Sequence, residues 1–246
     1  MKTKKTRPEA TSRLRNWQCQ EIYHVYQRGN YKQQIFYTPE QLVIYLHRLD
    51  LLARRYDVRI HSYCLMSNHI HFLLEPARIG GISRLMQSLQ SYHSRWIHRT
   101  QNRDGHLWKN RFKAVRITSP AHYRKALLFI ERSPTVAALV RHAERYPYSS
   151  AAAHVANSAS QVFRHGNREA TVNLHLARWQ LEFGLDYRWQ DWLRDPPAAT
   201  MDADLLAVVQ RILGKDCRSP LNPVDLPPPL PSGRASPSAM TVARAG

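Results

Sequence analysis

Between residues 21 and 133 the apolar positions switch repeatedly between a period of two and a period near 3.6, and this alternation restricts the folds open to the chain more than any other feature. In EIYHVYQRG, residues 21–29, Ile22, His24 and Tyr26 fall on one side of a strand and Tyr23, Val25 and Gln27 on the other, before a turn at Arg28-Gly29-Asn30. From Pro39 to Tyr56, Leu42, Tyr45, Leu46, Leu49 and Leu52 recur at helical spacing, with Thr38 placed to cap the helix and Pro39 in its first turn. Two strands follow, Val58 to Leu65 and His69 to Glu75, around the turn Met66-Ser67-Asn68. After Gly80-Gly81, the positions Ile82, Leu85, Met86, Leu89, Tyr92 and Trp96 describe a second helix whose other face carries Gln87, Ser88, Gln90 and Ser91. KAVRITS is a short strand, and Ser119-Pro120 opens a third helix from about Ala121 towards Ser133, which Pro134 stops or kinks. The order β-α-β-β-α-β-α predicts an α+β ferredoxin-like βαββαβ sandwich with an added C-terminal helix, its first and third strands central.

Beyond YPYSSAAAH the periodicity weakens. NLHLARWQLEFG and MDADLLAVVQRILG suggest two short helices, the second bearing Leu205, Leu206, Val209 and Leu213. From Arg218 the composition turns to Pro, Ser and Ala, too poor in apolar residues to order itself. The expected organisation is a basic arm over 1–19, the sandwich over 20–152, a small helical annex over 153–217 and a disordered tail over 218–246. No internal repeat interrupts this plan.

Thirty-six Lys and Arg against 18 Asp and Glu leave a formal net charge of +18. A chain this basic is suited to a polyanion, because each neutralised phosphate releases counterions. A solubilising surface or a basic membrane-binding helix would also carry such charge. Here, however, the cations are interleaved with aromatics, in YHVYQRGNYKQQIFY and HLWKNRFK, which offers charge for phosphates and rings for unstacked bases. The basic amino end has no apolar run behind it and no segment is apolar enough to span a bilayer, so a cytoplasmic protein without membrane contact is expected. Cys19, Cys64 and Cys217 lack the spacing of a disulfide framework or a cysteine zinc site.

In SYCLMSNHIHFLLEP, His69 and His71 project from one face of a strand, and Ile70 and Phe72 from the other. Such a pair can hold a metal ion, or can be two polar residues on a wet sheet face. Spacing alone does not choose between them.

IYHVYQRGN, YCLMSNHIHFLLEP, HLWKNRFKA, FIERSPTVAALV and YPYSSAAAH together, in this order, resemble the REP-associated tyrosine transposases, relatives of the IS200/IS605 insertion-sequence transposases. The resemblance runs from about Gln20 to Ala152. It implies that His69 and His71 are the metal-binding pair of a His-hydrophobic-His nuclease, holding Mg²⁺ or Mn²⁺ with a further side-chain oxygen against a phosphate of single-stranded or hairpin DNA. It also implies that a tyrosine on the helix after the last strand attacks the phosphate and becomes linked to the 5′ end. Here this chain departs from the pattern. The family's helix reads Tyr-Ile-x-x-Asn-Pro, whereas Phe129 stands in the nucleophile's place, Ser133 in that of the metal-facing Asn, and Ala138 in that of a Gly. An engineered Tyr-to-Phe exchange would explain Phe129 alone; decay or domestication explains all three.

Phe129 and Ser133 share a helical face with Lys125 and His122, while Tyr123, about 9 Å back along the axis, points into the core. Tyr146 and Tyr148 fall in a segment that is a structural turn in the family. With two imidazoles and a hydroxyl, the divalent-ion site is expected to be weak. Arg28, Lys109, Arg111 and Lys113 are the expected phosphate contacts, against the alternative of a solvated rim. Trp108, beside His106, either stacks on a base or packs on the sheet. His24 is expected to be a surface or hydrogen-bonded histidine and Glu75 an edge carboxylate. Three functions are then open: a transposase-like enzyme, an inactive hairpin-binding descendant, and an RNA-binding module of the same strand order, which the absence of an aromatic RNP signature disfavours. Whether two copies pair is left open.

Overall fold

The computed structural model describes residues 18–176 and 189–195. The basic arm up to residue 17, most of NLHLARWQLEFG, all of MDADLLAVVQRILG and the tail lie outside the described residues.

Four antiparallel strands make the main sheet: β1 (Tyr23–Arg28), β2 (Val58–Met66), β3 (His69–Pro76) and β4 (Lys113–Arg116), in the order β2-β3-β1-β4. The two strands expected to be central are central. Helices α1 (Pro39–Arg55) and α2 (Gly81–Gln101) cover one face, where Tyr45 stacks on Phe72 and meets Phe36 edge-on. Helix α3 (Pro120–Val136) lies across the other face. In a bare βαββαβ sandwich that second face would be open to water. Here α3 buries it, and so determines what the histidine face can contain.

Local chemistry explains the helix ends. Thr38 accepts a hydrogen bond from the Gln41 amide at the start of α1, and Ser119 one from the His122 amide at the start of α3. Pro134 does not stop α3, which continues to Val136. Lying in the last turn, it removes only the bond to the Ile130 carbonyl. The helix ends instead in a Schellman arrangement, with the Leu139 amide bonded to the Pro134 carbonyl, the Ala138 amide to the Thr135 carbonyl, and Ala138 at a φ of 55°.

A bulge in β2 between Ile60 and Ser62 turns both His61 and Ser62 towards α3, where they meet Tyr123 and Glu131. Residues 146–150 then run beside β2: the Leu65 amide bonds the Tyr148 carbonyl, the Ser150 amide bonds the Tyr63 carbonyl, and the Tyr146 hydroxyl donates to the Leu65 carbonyl. These tyrosines are structural, as the resemblance implied.

The annex departs from its helical expectation. After the short helix α4 (Ala151–Val155), residues 160–173 form a hairpin of β5 (Ser160–His165) and β6 (Arg168–Asn173). Gly166 takes a φ of 56° at the first of its two turn residues, Gly166-Asn167. Such a turn matches the twist of paired strands and needs glycine there. Phe163, Ala170 and Val172 are buried, and the backbone and side-chain amides of Asn173 both bond Asp50 of α1 at 3.0 Å. A helix does occur at α5 (Trp189–Arg194). No described helix is long and apolar enough to cross a membrane.

Candidate metal and nucleic-acid site

The pairing of β1 with β3 sets Arg28 opposite His69 and Tyr26 opposite His71, so Arg28, Tyr26 and His24 share the face of the histidine pair. Lys113, opposite Tyr26 across the β1–β4 pair, joins them. This is the face that α3 crosses, and His69 and His71 are 2% and 0% exposed, which rules out two polar residues on a wet surface. Each ring is held by its Nδ1. Asn68 Oδ1 lies 2.6 Å from His69 Nδ1, and an amide oxygen only accepts, so His69 carries its proton there and its lone pair on Nε2. His71 Nδ1 lies 3.1 Å from His24 Nε2. His24 is therefore a buried, hydrogen-bonded histidine and not a surface one.

Both Nε2 atoms, on His69 and on His71, are buried without a hydrogen-bond partner. Burial, and then the Arg28 cation, lowers the His69 pKa to about 3; burial, and then His122, lowers that of His24 to about 3. Burial, His69 and His24 together push His71 well below its ordinary value. All three imidazoles are neutral at pH 7, the form that binds metal. Two orphaned imidazole nitrogens fit a divalent ion. Among the described residues no group of three or more His, Cys, Asp and Glu could complete such a site, so the remaining ligands would be oxygens from water, phosphate or a hydroxyl. Nitrogen-containing sets of this kind suit Mn²⁺ better than Mg²⁺.

The ring of Phe129 stands 5.0 Å from that of His71, edge to face, and 5.6 Å from that of His24. Helix α3 thus brings the expected nucleophile position to the histidines, but as a phenyl group. One turn on, buried Ser133 donates its hydroxyl to the Phe129 carbonyl at 2.8 Å, so its proton is committed to the helix while its oxygen keeps its lone pairs. Tyr123 is fully buried, with its hydroxyl 3.1 Å from His61 Nδ1, in keeping with its expected place in the core. Glu75 is not an edge carboxylate. It is 1% exposed, 2.9 Å from His61 Nε2 and 2.7 Å from Arg59, because the β2 bulge turns His61 inward to meet it.

Two residues at this site escaped sequence reasoning. Tyr26 has its ring 6.0 Å from that of His71 and 5.5 Å from that of His24. Its period-two placement beside His24 was the available signal. Glu131 is fully buried and accepts from Ser62, Ser150 and His154 on one oxygen and from Trp189 Nε1 on the other. No local pattern announces it, since its four partners come from three distant segments.

The expected phosphate contacts divide between the two sides of the sheet. Arg28 and Lys113 belong to the histidine face. Trp108 and Arg111 line a cleft of about 1230 Å³ between α2 and residues 105–112, together with Gln27, whose side chain leaves the opposite face of β1. Lys109 is exposed, its amide bonded to the Arg28 carbonyl. Trp108 bridges to Gly29, where a Cβ would come within 2.2 Å of the Gln33 carbonyl oxygen, so the close approach needs glycine. Its ring lies 6.0 Å from that of His93, packed on the core yet bordering the cleft.

The model of the family described as "Transposase IS200 like" matches residues 17–131. Among solved structures, the chain is similar to a REP-associated tyrosine transposase bound to a REP hairpin, at 16% identity over 58% of this chain and 83% of that one, with a TM-score of 0.46. It is also similar to a transposase candidate from Deinococcus radiodurans R1, at 16% identity over 45% of this chain and 88% of that one, with a TM-score of 0.35. No curated protein matches it.

Proposed function

From the match of residues 17–131 to the IS200-like transposases, we propose that this chain binds single-stranded or hairpin DNA across its histidine face and does not cleave it. Arg28 and Lys113 would pair with phosphates flanking the His69–His71 pair. His69 and His71 would hold Mn²⁺ or Mg²⁺ through their Nε2 atoms, with Ser133 as a candidate oxygen; such an ion, when bound, polarises a phosphate and stabilises developing charge. His24 and Asn68 orient the two imidazoles through Nδ1. The observation that carries the proposal is the Phe129 ring at 5.0 Å from His71. It fills the place from which a tyrosine would attack, and a phenyl ring has no nucleophilic oxygen.

The test is incubation of labelled hairpin DNA with the protein and Mn²⁺, followed by a denaturing gel. No covalent adduct is expected from the unmodified chain, a weak one from Phe129→Tyr, and a clear one from Phe129→Tyr with Ser133→Asn, which adds an amide oxygen one helical turn beyond residue 129. An adduct formed by the unmodified protein would overturn the proposal, and mapping the linked residue would distinguish Tyr26 from Tyr123. Calorimetry separates out the metal: Mn²⁺ binding should be lost in His71→Ala, and unchanged binding would remove the ion from the account.

A further inference from the structure

The cleft on the far side of the sheet contains three polar atoms that nothing in the fold satisfies. Gln27 Oε1, Gln90 Nε2 and Trp108 Nε1 are buried without a hydrogen-bond partner, and all three residues line this one space. The two glutamines are 6% and 8% exposed. The Gln27 amide cannot turn, because its Nε2 donates to the Asn110 carbonyl at 2.8 Å and a carbonyl only accepts, while Gln90 Oε1 accepts from the Tyr45 hydroxyl at 3.3 Å and leaves Nε2 towards the cleft. The cleft therefore presents a fixed acceptor at Gln27, a fixed donor at Trp108 and a donor at Gln90. Buried groups left in this state are destabilising until something pairs with them.

The rest of the lining narrows what that something is. Arg95 and Arg111 supply cations, Trp108 and Phe112 supply rings, and no acidic residue is among those lining the cleft. An anionic, flat ligand with both donors and acceptors at its edge suits these walls. We infer that this cleft receives one unpaired nucleotide of bound DNA, its base edge paired with Gln27, Gln90 and Trp108 and its phosphate with Arg95 or Arg111. Every DNA base presents at least one donor and two acceptors, the complement of the set here, so the cleft distinguishes a base from its absence. The inference rests on the DNA-binding reading above and adds a second contact, across the sheet from the histidines. Segment 105–112 lies between the two, since Asn110 bonds Gln27 while the neighbouring Lys109 amide bonds Arg28.

The experiment compares the full chain binding a short single strand and the same strand with abasic sites, by fluorescence anisotropy over a range of salt. The base-bearing strand is expected to bind at least about 10-fold more tightly, since stacking and edge pairing are both lost with the base. Gln27→Leu with Gln90→Leu should remove most of this preference and leave the salt dependence unchanged. Trp108→Phe, which keeps an aromatic face but loses the indole N–H and part of the ring area, should reduce it in part. Equal binding of the two strands by the unmodified chain, or a preference undiminished in a double variant with a native circular dichroism spectrum, would overturn the inference. If the double variant misfolds, Trp108→Phe decides, an unchanged preference counting against the cleft. Failure to bind either strand would instead remove the DNA-binding reading itself.

Discussion

Glu131 is the residue whose replacement should damage the fold most relative to the size of the change. Its Oε1 accepts from Ser62, Ser150 and His154, its Oε2 from Trp189 Nε1 at 2.9 Å, and it is fully buried. In Glu131→Gln the amide oxygen can serve one set of donors only. The better orientation keeps the three donors on the Oε1 side and turns an NH₂ towards the Trp189 indole, so two donors face each other. That loses one hydrogen bond to a carboxylate and leaves a buried N–H unsatisfied, about 2–4 kcal/mol together. Glu131→Ala, which deserts all four donors, should cost about 3–5 kcal/mol or more. Urea denaturation followed by tryptophan fluorescence measures both. A double-mutant cycle identifies the cause: with Trp189→Phe in place the indole no longer opposes the amide, so Glu131→Gln should cost about 1–2 kcal/mol less than it does alone. A coupling below about 0.5 kcal/mol, or a Glu131→Gln cost below about 1 kcal/mol, would refute the reasoning.

Ala138→Gly should stabilise the protein by about 1 kcal/mol, because Ala138 holds a φ of 55° that an L side chain resists and glycine does not; thermal unfolding of the pair of proteins checks it. His93, whose Nε2 lies 2.6 Å from the Ile35 carbonyl, has its pKa lowered by burial to about 4. The unfolded chain takes up this proton near pH 6.5 and the folded one only near pH 4, so stability is retained above pH 6.5 and falls on acidification between those values, by about 1.4 kcal/mol per pH unit at most. His93→Gln should flatten that part of the stability–pH curve, and an identical slope in the variant would show that His93 is not its source. DNA affinity should fall steeply as salt is raised, following the net charge of +18, and binding that stays level from low to moderate salt would remove the phosphate contacts from the account.

Period-two alternation makes the strand faces legible in the sequence, and with them the shared face of His24, His69 and His71. The spacing of Phe129 and Ser133 makes the helical stripe legible too. What stays hidden depends on contacts between distant segments. The β2 bulge changes the meaning of His61 and Glu75, and Glu131 meets partners 19, 23, 58 and 69 residues away. Neither leaves a local pattern. The 160–173 hairpin does leave one, in Gly166-Asn167 between short runs, but its apolar positions are too few to outweigh the helical look of the sequence that follows.

Strand β1 ties these observations into one mechanism of construction. His24, Tyr26 and Arg28 point to the histidine face, while Val25 and Gln27 point to the other, so the histidine site and the far-side cleft are built from alternate residues of the same strand. Both neighbours of β1 in the sheet fix that alternation, with Tyr26 held opposite His71 on one side and Lys113 on the other. A one-residue slip would exchange Gln27 with Tyr26 or Arg28 and empty both sites at once. Gly29 is the point at which this register is set, for its bridge to Trp108 and its close approach to Gln33 lock the end of β1 to the segment that carries Asn110 and Arg111. The sequence IYHVYQRGN therefore specifies more than a strand and a turn: its even residues build the histidine face of the sheet and its odd residues the wall of the cleft on the other.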